Sequence, residues 1–383
     1  MAALGQVPGA ALLNLYRYWA LGGAGMIITG NVMVDKLSMT GPGGVALEAE
    51  TSLEPFKQSA KVIKQDGALA IMQINHPGRQ VQKSLGGKVI APSAVPMKLG
   101  RHSKRFHAAE VMTSAQIDDV KSRFVATACQ AKQAGFDGIE IHAAHGYLLS
   151  QFLSPLLNKR EDCWGGNLCN RARLLVNIVS EIRAKCGKDF ILMVKLNAAD
   201  FTDGGFHEED ACEVARMLEA SSVDILEVSG GCYESPAMQG KPANASKLAQ
   251  EAYFKDFARC IGESTSIPVM TTGGINRLAV AESVLESGCE LIGMASALAS
   301  TPDLVKKWQQ NPMYKGQTPR CEWRDKPMAS LATVAMVRRN LRRLGYDLTP
   351  SYKPTAWWSL VLDRVRNKSL TKRYRKSVSQ SAQ

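Results

Sequence analysis

Short continuous apolar runs, separated by stretches in which apolar residues recur every three or four positions, divide most of this chain into alternating strands and helices. The pattern predicts a helix over 9–22, then a strand over 25–34 (GMIITGNVMV). It continues with a helix at 54–66, a strand at 68–74 and a long helix at 114–134, which has a Ser/Thr start and stops at Gly135. Further strands are predicted at 137–142, 190–196, 224–228, 267–271 and 290–294. Helices fall between and after them at 170–186, 207–221, 246–262, 276–287 and from Pro302 onward. Apolar strands separated by ten-to-twenty-residue helices imply a parallel sheet covered by helices on its faces. Seven strands are one short of a closed (β/α)8 barrel, and because a helix comes first, the missing strand would precede it.

Composition narrows the class without deciding it. A chain of 383 residues, 45% hydrophobic and 21% charged, suits one large globular core. Its nine cysteines contain no C-x-x-C pair, so they spell neither a zinc ribbon nor an iron–sulfur segment and read as free thiols in a reducing compartment. No run of eighteen apolar residues exists, and the expected location is cytoplasmic. Charge is concentrated at one end: residues 320–383 hold fifteen Lys/Arg against four Asp/Glu, a net of +11 out of +12 for the chain. The expected division is therefore a barrel over 1–318 and a basic helical C-terminal extension over 319–383. Apolar spacing at Leu331, Val334, Val337, Leu341 and Leu344 predicts that the first part of this extension packs on the barrel. The basic tail, with Trp357, Trp358 and Tyr374 interleaved, is a solvated face or a weak contact for an anionic membrane surface; no nucleic acid is expected.

Candidate chemistry gathers at strand ends, where parallel-sheet folds build their sites. The run Gly138-Ile139-Glu140-Ile141-His142-Ala143-Ala144-His145-Gly146-Tyr147 sends two imidazoles and a phenol out of one strand end. A metal pair, structural imidazoles and organic catalysis all remain open on these residues alone, although a two-ligand metal site would lack a third donor. Lys195 aligns by two-residue alternation with Ile191 and Met193, so a buried ammonium there needs an anion or a salt-bridge partner. Gln73, in Ile71-Met72-Gln73-Ile74, is similarly polar in an apolar strand. Gly273 and Gly274, between a strand and a helix, and Ala295-Ser296 after the next strand suggest a phosphate site, or simply tight turns.

The blocks QINHPGRQ (73–80), Ala91-Pro92-Ser93, GFDGIEIHAAHGYLLSQFLSP (135–155), Gly165-Gly166-Asn167 with Asn170-Arg171, Lys195 to Phe201 and EVSGG (227–231) resemble the Old Yellow Enzyme family, closest to its NADH:flavin oxidoreductase branch. The resemblance covers about residues 8 to 310. It implies a TIM-type barrel that holds FMN, takes electrons from NADH or NADPH, and reduces the activated C=C of an enone-type substrate. By the same resemblance His142 and His145 bind the substrate carbonyl oxygen and Tyr147 gives the proton. Gln73 and Lys195 then meet the flavin ring, while Gly273, Gly274, Ala295 and Ser296 take its phosphate. The family's first strand has no counterpart, and Ser296 stands where the family usually carries a phosphate-binding arginine, a contact worth roughly 1.5 to 3 kcal/mol. A second class of function therefore stays open: a flavin-free barrel acting as a binding or structural protein through its basic tail. A homo-oligomer is also left open.

Overall fold

The computed structural model describes residues 2–237, 251–351, 353 and 355–381. The elements follow in chain order: α1 (Ala10–Leu21), β1 (Met26–Ile28), β2 (Val32–Met33), β3 (Val45–Ala46), α2 (Glu54–Lys64), β4 (Leu69–Asn75), β5 (Ile90–Ala91), β6 (Glu110–Val111) and α3 (Ser114–Gln133). Then come β7 (Gly138–Ala143), α4 (Leu148–Leu153), α5 (Leu168–Cys186), β8 (Ile191–Asn197), α6 (Glu208–Ala220), β9 (Ile225–Ser229) and α7 (Lys255–Gly262). The series ends with β10 (Val269–Thr272), α8 (Leu278–Leu285), β11 (Leu291–Gly293), α9 (Leu304–Gln310), α10 (Lys326–Gly345) and α11 (Ala356–Ser381). The start of the helix expected at 246–262 lies outside the described residues; Lys255–Gly262 is helical.

All pairings in the main sheet are parallel, in the order β11-β10-β9-β8-β7-β4-β2-β3, with β1 also on β4. The strand expected over 25–34 is two short pieces. Between them the Thr29 hydroxyl accepts the Gln73 N–H at 3.1 Å, a bond the ladder would otherwise take from a carbonyl, and the pairing resumes at Val32. Helices begin where their caps allow: Thr113 and Gln116 form a reciprocal capping box at α3, and the Asp325 carboxylate accepts the Met328 N–H at α10.

The outward faces of the strands join the helices in one large core. The inward faces build a second, small one from Ile71, Met193 and Met270 with Met26, Ile191 and Ile225, which fills the N-terminal end of the sheet's interior. Among the described residues β11 pairs only with β10 and β1 only with β4, so the ladder is open between them. Side chains span that seam: the Trp19 indole donates to the Leu298 carbonyl at 3.0 Å, and Gly22 lies so close to the Pro302 backbone that no Cβ would fit. A cavity of about 140 Å³ lined by Leu12, Tyr16, Val45, Phe56 and Met72 lies on the helix-facing side of β1 and β2.

The C-terminal part packs on the rest as expected, but not by the face the spacing at 331–344 marked: Leu344 is buried while Leu331 is 43% exposed, and Ala332, Ala335, Met336 and Asn340 are among the other buried positions of α10, because small side chains let the helix approach closely. Asn14 and Arg17 of α1 reach Asp347 just beyond α10, Asn14 also the Gly345 carbonyl at its end, and Asn340 donates to Ser300 at 2.9 Å. Tyr374 of α11 is buried against Met33, Met39 and Leu85, with its hydroxyl donating to the Lys36 carbonyl at 2.9 Å.

Candidate functional site

β7 is buried along its whole length and delivers His142 to the C-terminal end of the sheet's interior. The chain then turns back through two residues with positive φ, His145 (60°) and Gly146 (72°). Gly146 is required there, because a Cβ would stand 2.8 Å from that of Cys232. His145 has no such freedom, and a non-glycine residue in this region costs about 1–3 kcal/mol unless its surroundings impose it. Here its N–H donates to Asn197 Oδ1 at 3.0 Å and its carbonyl accepts the Gln80 amide at 2.9 Å. The turn sets Tyr147 at the start of α4, with its ring returned toward His142.

The three expected side chains therefore converge. The His142 ring lies 4.9 Å from that of His145 and 4.8 Å from that of Tyr147, both edge to face. His142 Nδ1 accepts the Ala144 N–H at 3.2 Å, so the proton of the neutral ring belongs on Nε2. His145 Nε2 is 2.8 Å from Ser229 Oγ, and the Tyr147 hydroxyl is 3.1 Å from that of Tyr233. Burial, then the charges of His145 and Lys195, holds His142 well below the usual imidazole range. Burial, then Lys195, lowers His145 to about 3. Both rings are neutral near pH 7. Burial, then Tyr233, pushes the Tyr147 phenol well above its ordinary value.

Beneath them lies a polar layer that the sequence disclosed only in part. Lys195 is in register with both His142 and Glu227, and Gln73 with Glu140. Lys195 forms an ion pair with the Glu227 carboxylate, and the Gln73 amide donates to Glu140. The partner Lys195 requires is thus a carboxylate of the protein itself, the salt-bridge alternative its position left open. Burial, then Glu227, raises the Glu140 carboxyl well above the ordinary range. Burial would raise Glu227 and lower Lys195, but their mutual attraction outweighs it, so Glu227 is lowered and Lys195 raised. The layer thus joins one ammonium to two carboxyl groups, of which Glu140 is the one pushed toward its neutral, protonated form. Glu140 and Glu227 could have been found as Lys195 was, since each is a lone charge inside an apolar strand (Ile139-Glu140-Ile141, Leu226-Glu227-Val228).

Asn75 shares the face of Gln73 by two-residue alternation and is fully buried, yet neither its Oδ1 nor its Nδ2 has a hydrogen-bond partner. A buried amide left so is costly, and it suits a ligand edge that alternates donors and acceptors. At the far side, Thr272 is in register with Gly293, which brings the loops after β10 and β11 together. Gly273 (φ 108°) and Gly274 (φ 74°) precede α8, and a Cβ on Gly273 would run into the Tyr253 ring. Ala295 and Ser296 beside them are exposed. Gln73, Asn75 and Lys195 at one end and these two loops at the other fit a heteroaromatic group carrying a phosphate, as FMN does. Among the described residues no group of three or more His, Cys, Asp or Glu side chains is placed to hold a metal ion.

Residues 4–314 match the model of a family described as NADH:flavin oxidoreductase / NADH oxidase. The NADH-dependent flavin oxidoreductase iliE of Hypocrea jecorina is 32% identical over 331 residues, spanning 80% of this chain and 82% of that one. The NADH oxidase of Thermoanaerobacter brockii is 33% identical over 77% of this chain, which covers only 45% of that longer protein. Among solved structures, a 2-naphthoyl-CoA reductase in complex with 2-naphthoyl-CoA superposes with a TM-score of 0.72 at 28% identity, over 80% of this chain and 47% of that one. An old yellow enzyme homologue from Zymomonas mobilis superposes with a TM-score of 0.69 over 82% of this chain and 87% of that one; at 23% identity it speaks for the fold.

Proposed function

Because the chain belongs to the NADH:flavin oxidoreductase / NADH oxidase family, we propose that it carries hydride from NADH or NADPH, by way of FMN, to the activated C=C of an enone-type substrate. The observation that carries this reading is the convergence of two neutral imidazoles and a protonated phenol above the polar layer. FMN, when bound, supplies the carrier that takes two electrons from the nicotinamide and passes them to the alkene. Gln73, Asn75 and Lys195 would hold its polar ring edge, and Gly273, Gly274, Ala295 and Ser296 its phosphate.

The rest of the chemistry falls to the chain's own residues. As hydride arrives at the β-carbon, negative charge grows on the carbonyl oxygen. An N–H from His142 Nε2 and one from His145 stabilise it there, each such donor being worth about 2.7 to 4 kcal/mol in a water-poor site. Neutrality of both rings matters, because an imidazolium would cost solvation at this depth. Tyr147 then gives its proton to the α-carbon, and the Tyr233 hydroxyl beside it, on a side chain 37% exposed, links that phenol to solvent for its return. Alkene, hydride and proton together give the saturated ketone, and the nicotinamide that supplied the hydride is left oxidised.

The flavin-free reading draws on the ion pair that already satisfies Lys195, but the unpartnered Asn75 amide weighs against it. The test is to titrate the purified chain with FMN by visible absorbance, then to follow NADH and NADPH oxidation with and without a cyclic enone. Stoichiometric FMN and enone-dependent oxidation that yields the saturated ketone are expected. A colourless protein that takes up no added FMN would sink the proposal.

A further inference from the structure

α11 has no part in the chemistry above, and its two faces differ sharply. One is spent on the protein: Ser359, Asp363 and Tyr374 are buried, and Asp363 accepts from Arg338 at 3.2 Å and Arg342 at 2.8 Å of α10. At about 100° of rotation per residue, the opposite face carries Trp357, Trp358 and Val365 in its first turns, with Leu362 at its edge, and Lys368 and Lys372 in the turns that follow. We propose that this face docks the protein on an anionic lipid surface.

The apolar part is exposed far beyond what a solvated helix needs: Trp357 is 62% accessible, Trp358 47%, Leu362 38% and Val365 65%. The two indoles stack on each other with centroids 6.2 Å apart. The helix holds seven Lys/Arg and a single acid, Asp363, which is buried and engaged by α10, so its solvent face carries no carboxylate. A bilayer offers what both parts want: an interfacial zone for tryptophan and aliphatic groups, and anionic headgroups for the basic turns. A nucleic acid would leave Leu362 and Val365 with nothing to meet, and a second copy of the same cationic helix would be repelled. Among the described residues no helix is long and apolar enough to cross a membrane, so the contact is one of lying on the surface.

Flotation of the full chain with vesicles tests this. Vesicles of phosphatidylcholine with roughly 30 mol% phosphatidylserine should carry the protein, and pure phosphatidylcholine should not. Lys368→Gln with Lys372→Gln should weaken partitioning roughly thirtyfold, about fivefold per charge removed. Trp357→Ala with Trp358→Ala should weaken it too; all four positions face solvent, and unchanged circular dichroism verifies that the fold is kept. Equal partitioning onto neutral vesicles, partitioning unaffected by either pair of substitutions, or an oligonucleotide or a concentration-dependent dimer that occupies the same residues instead would overturn the proposal.

Discussion

Tyr147 keeps its proton through the physiological range because burial makes the phenolate costly, and under the proposed mechanism a group that gives a proton once per turnover has to regain it. Its neighbour Tyr233 is the nearer to solvent of the pair. Replacing Tyr147 by Phe should lower alkene reduction by 10²- to 10⁴-fold, the usual range for a general acid, while the rate at which NAD(P)H reduces the cofactor stays nearly unchanged. Tyr233→Phe should cost about tenfold, since water can take over the relay. Stopped-flow measurement of the two half-reactions separates these effects; equal loss in both halves for Tyr147→Phe would remove its role as proton donor. The HAAHGY segment was legible from the sequence because residue types and strand end coincide. Tyr233 was not, since it lies 86 positions away on a loop with no periodicity to read.

At the level of strands, the pairing of Lys195 on β8 with Glu227 on β9 ties the middle of the sheet together inside its own interior. Lys195→Met alone would leave a buried, uncompensated carboxylate and should cost about 3–5 kcal/mol, whereas Lys195→Met with Glu227→Leu should recover most of that. Denaturant midpoints of the single and double variants measure it. A single variant as stable as the parent would mean that Lys195 contributes no structural pairing. Six of the seven expected strands could be read from the sequence because each is a mostly apolar run between turn signals, while the run over 25–34 hid the break at Thr29 that divides it into β1 and β2. The two-residue strands β3, β5 and β6 offered no run to read, and α4 is a single buried stretch without an alternating face. α11 was legible as part of a basic helical extension, but its bounds were not, because its apolar and basic sectors follow one another along one face instead of lying opposite and its hydropathy barely oscillates at the helical period.

For the whole molecule, the buried His76 and His142 and the partly buried His145 set the acid limit. His76 is lowered to about 4, mainly by burial, His145 to about 3, and His142 well below the usual range. Unfolded, each would take up a proton near pH 6.5, so below that pH the unfolded state binds more protons and stability falls as pH drops toward the folded values. At pH 5 each histidine forfeits up to about 2 kcal/mol. Denaturant midpoints should therefore decline from pH 7 to pH 5, and a flat profile would mean that these rings already carry charge in the fold. Stability also depends on how the ends meet. The Tyr374 hydroxyl reaches Lys36 across 338 positions, and Asn14 reaches Asp347 across 333. A ribosome adding about 5–20 residues per second needs roughly 17 to 70 s to cover the first of these separations. For that time Met33 and Met39 emerge without their cover, and the nascent chain is a natural client for a chaperone until its last helix is made.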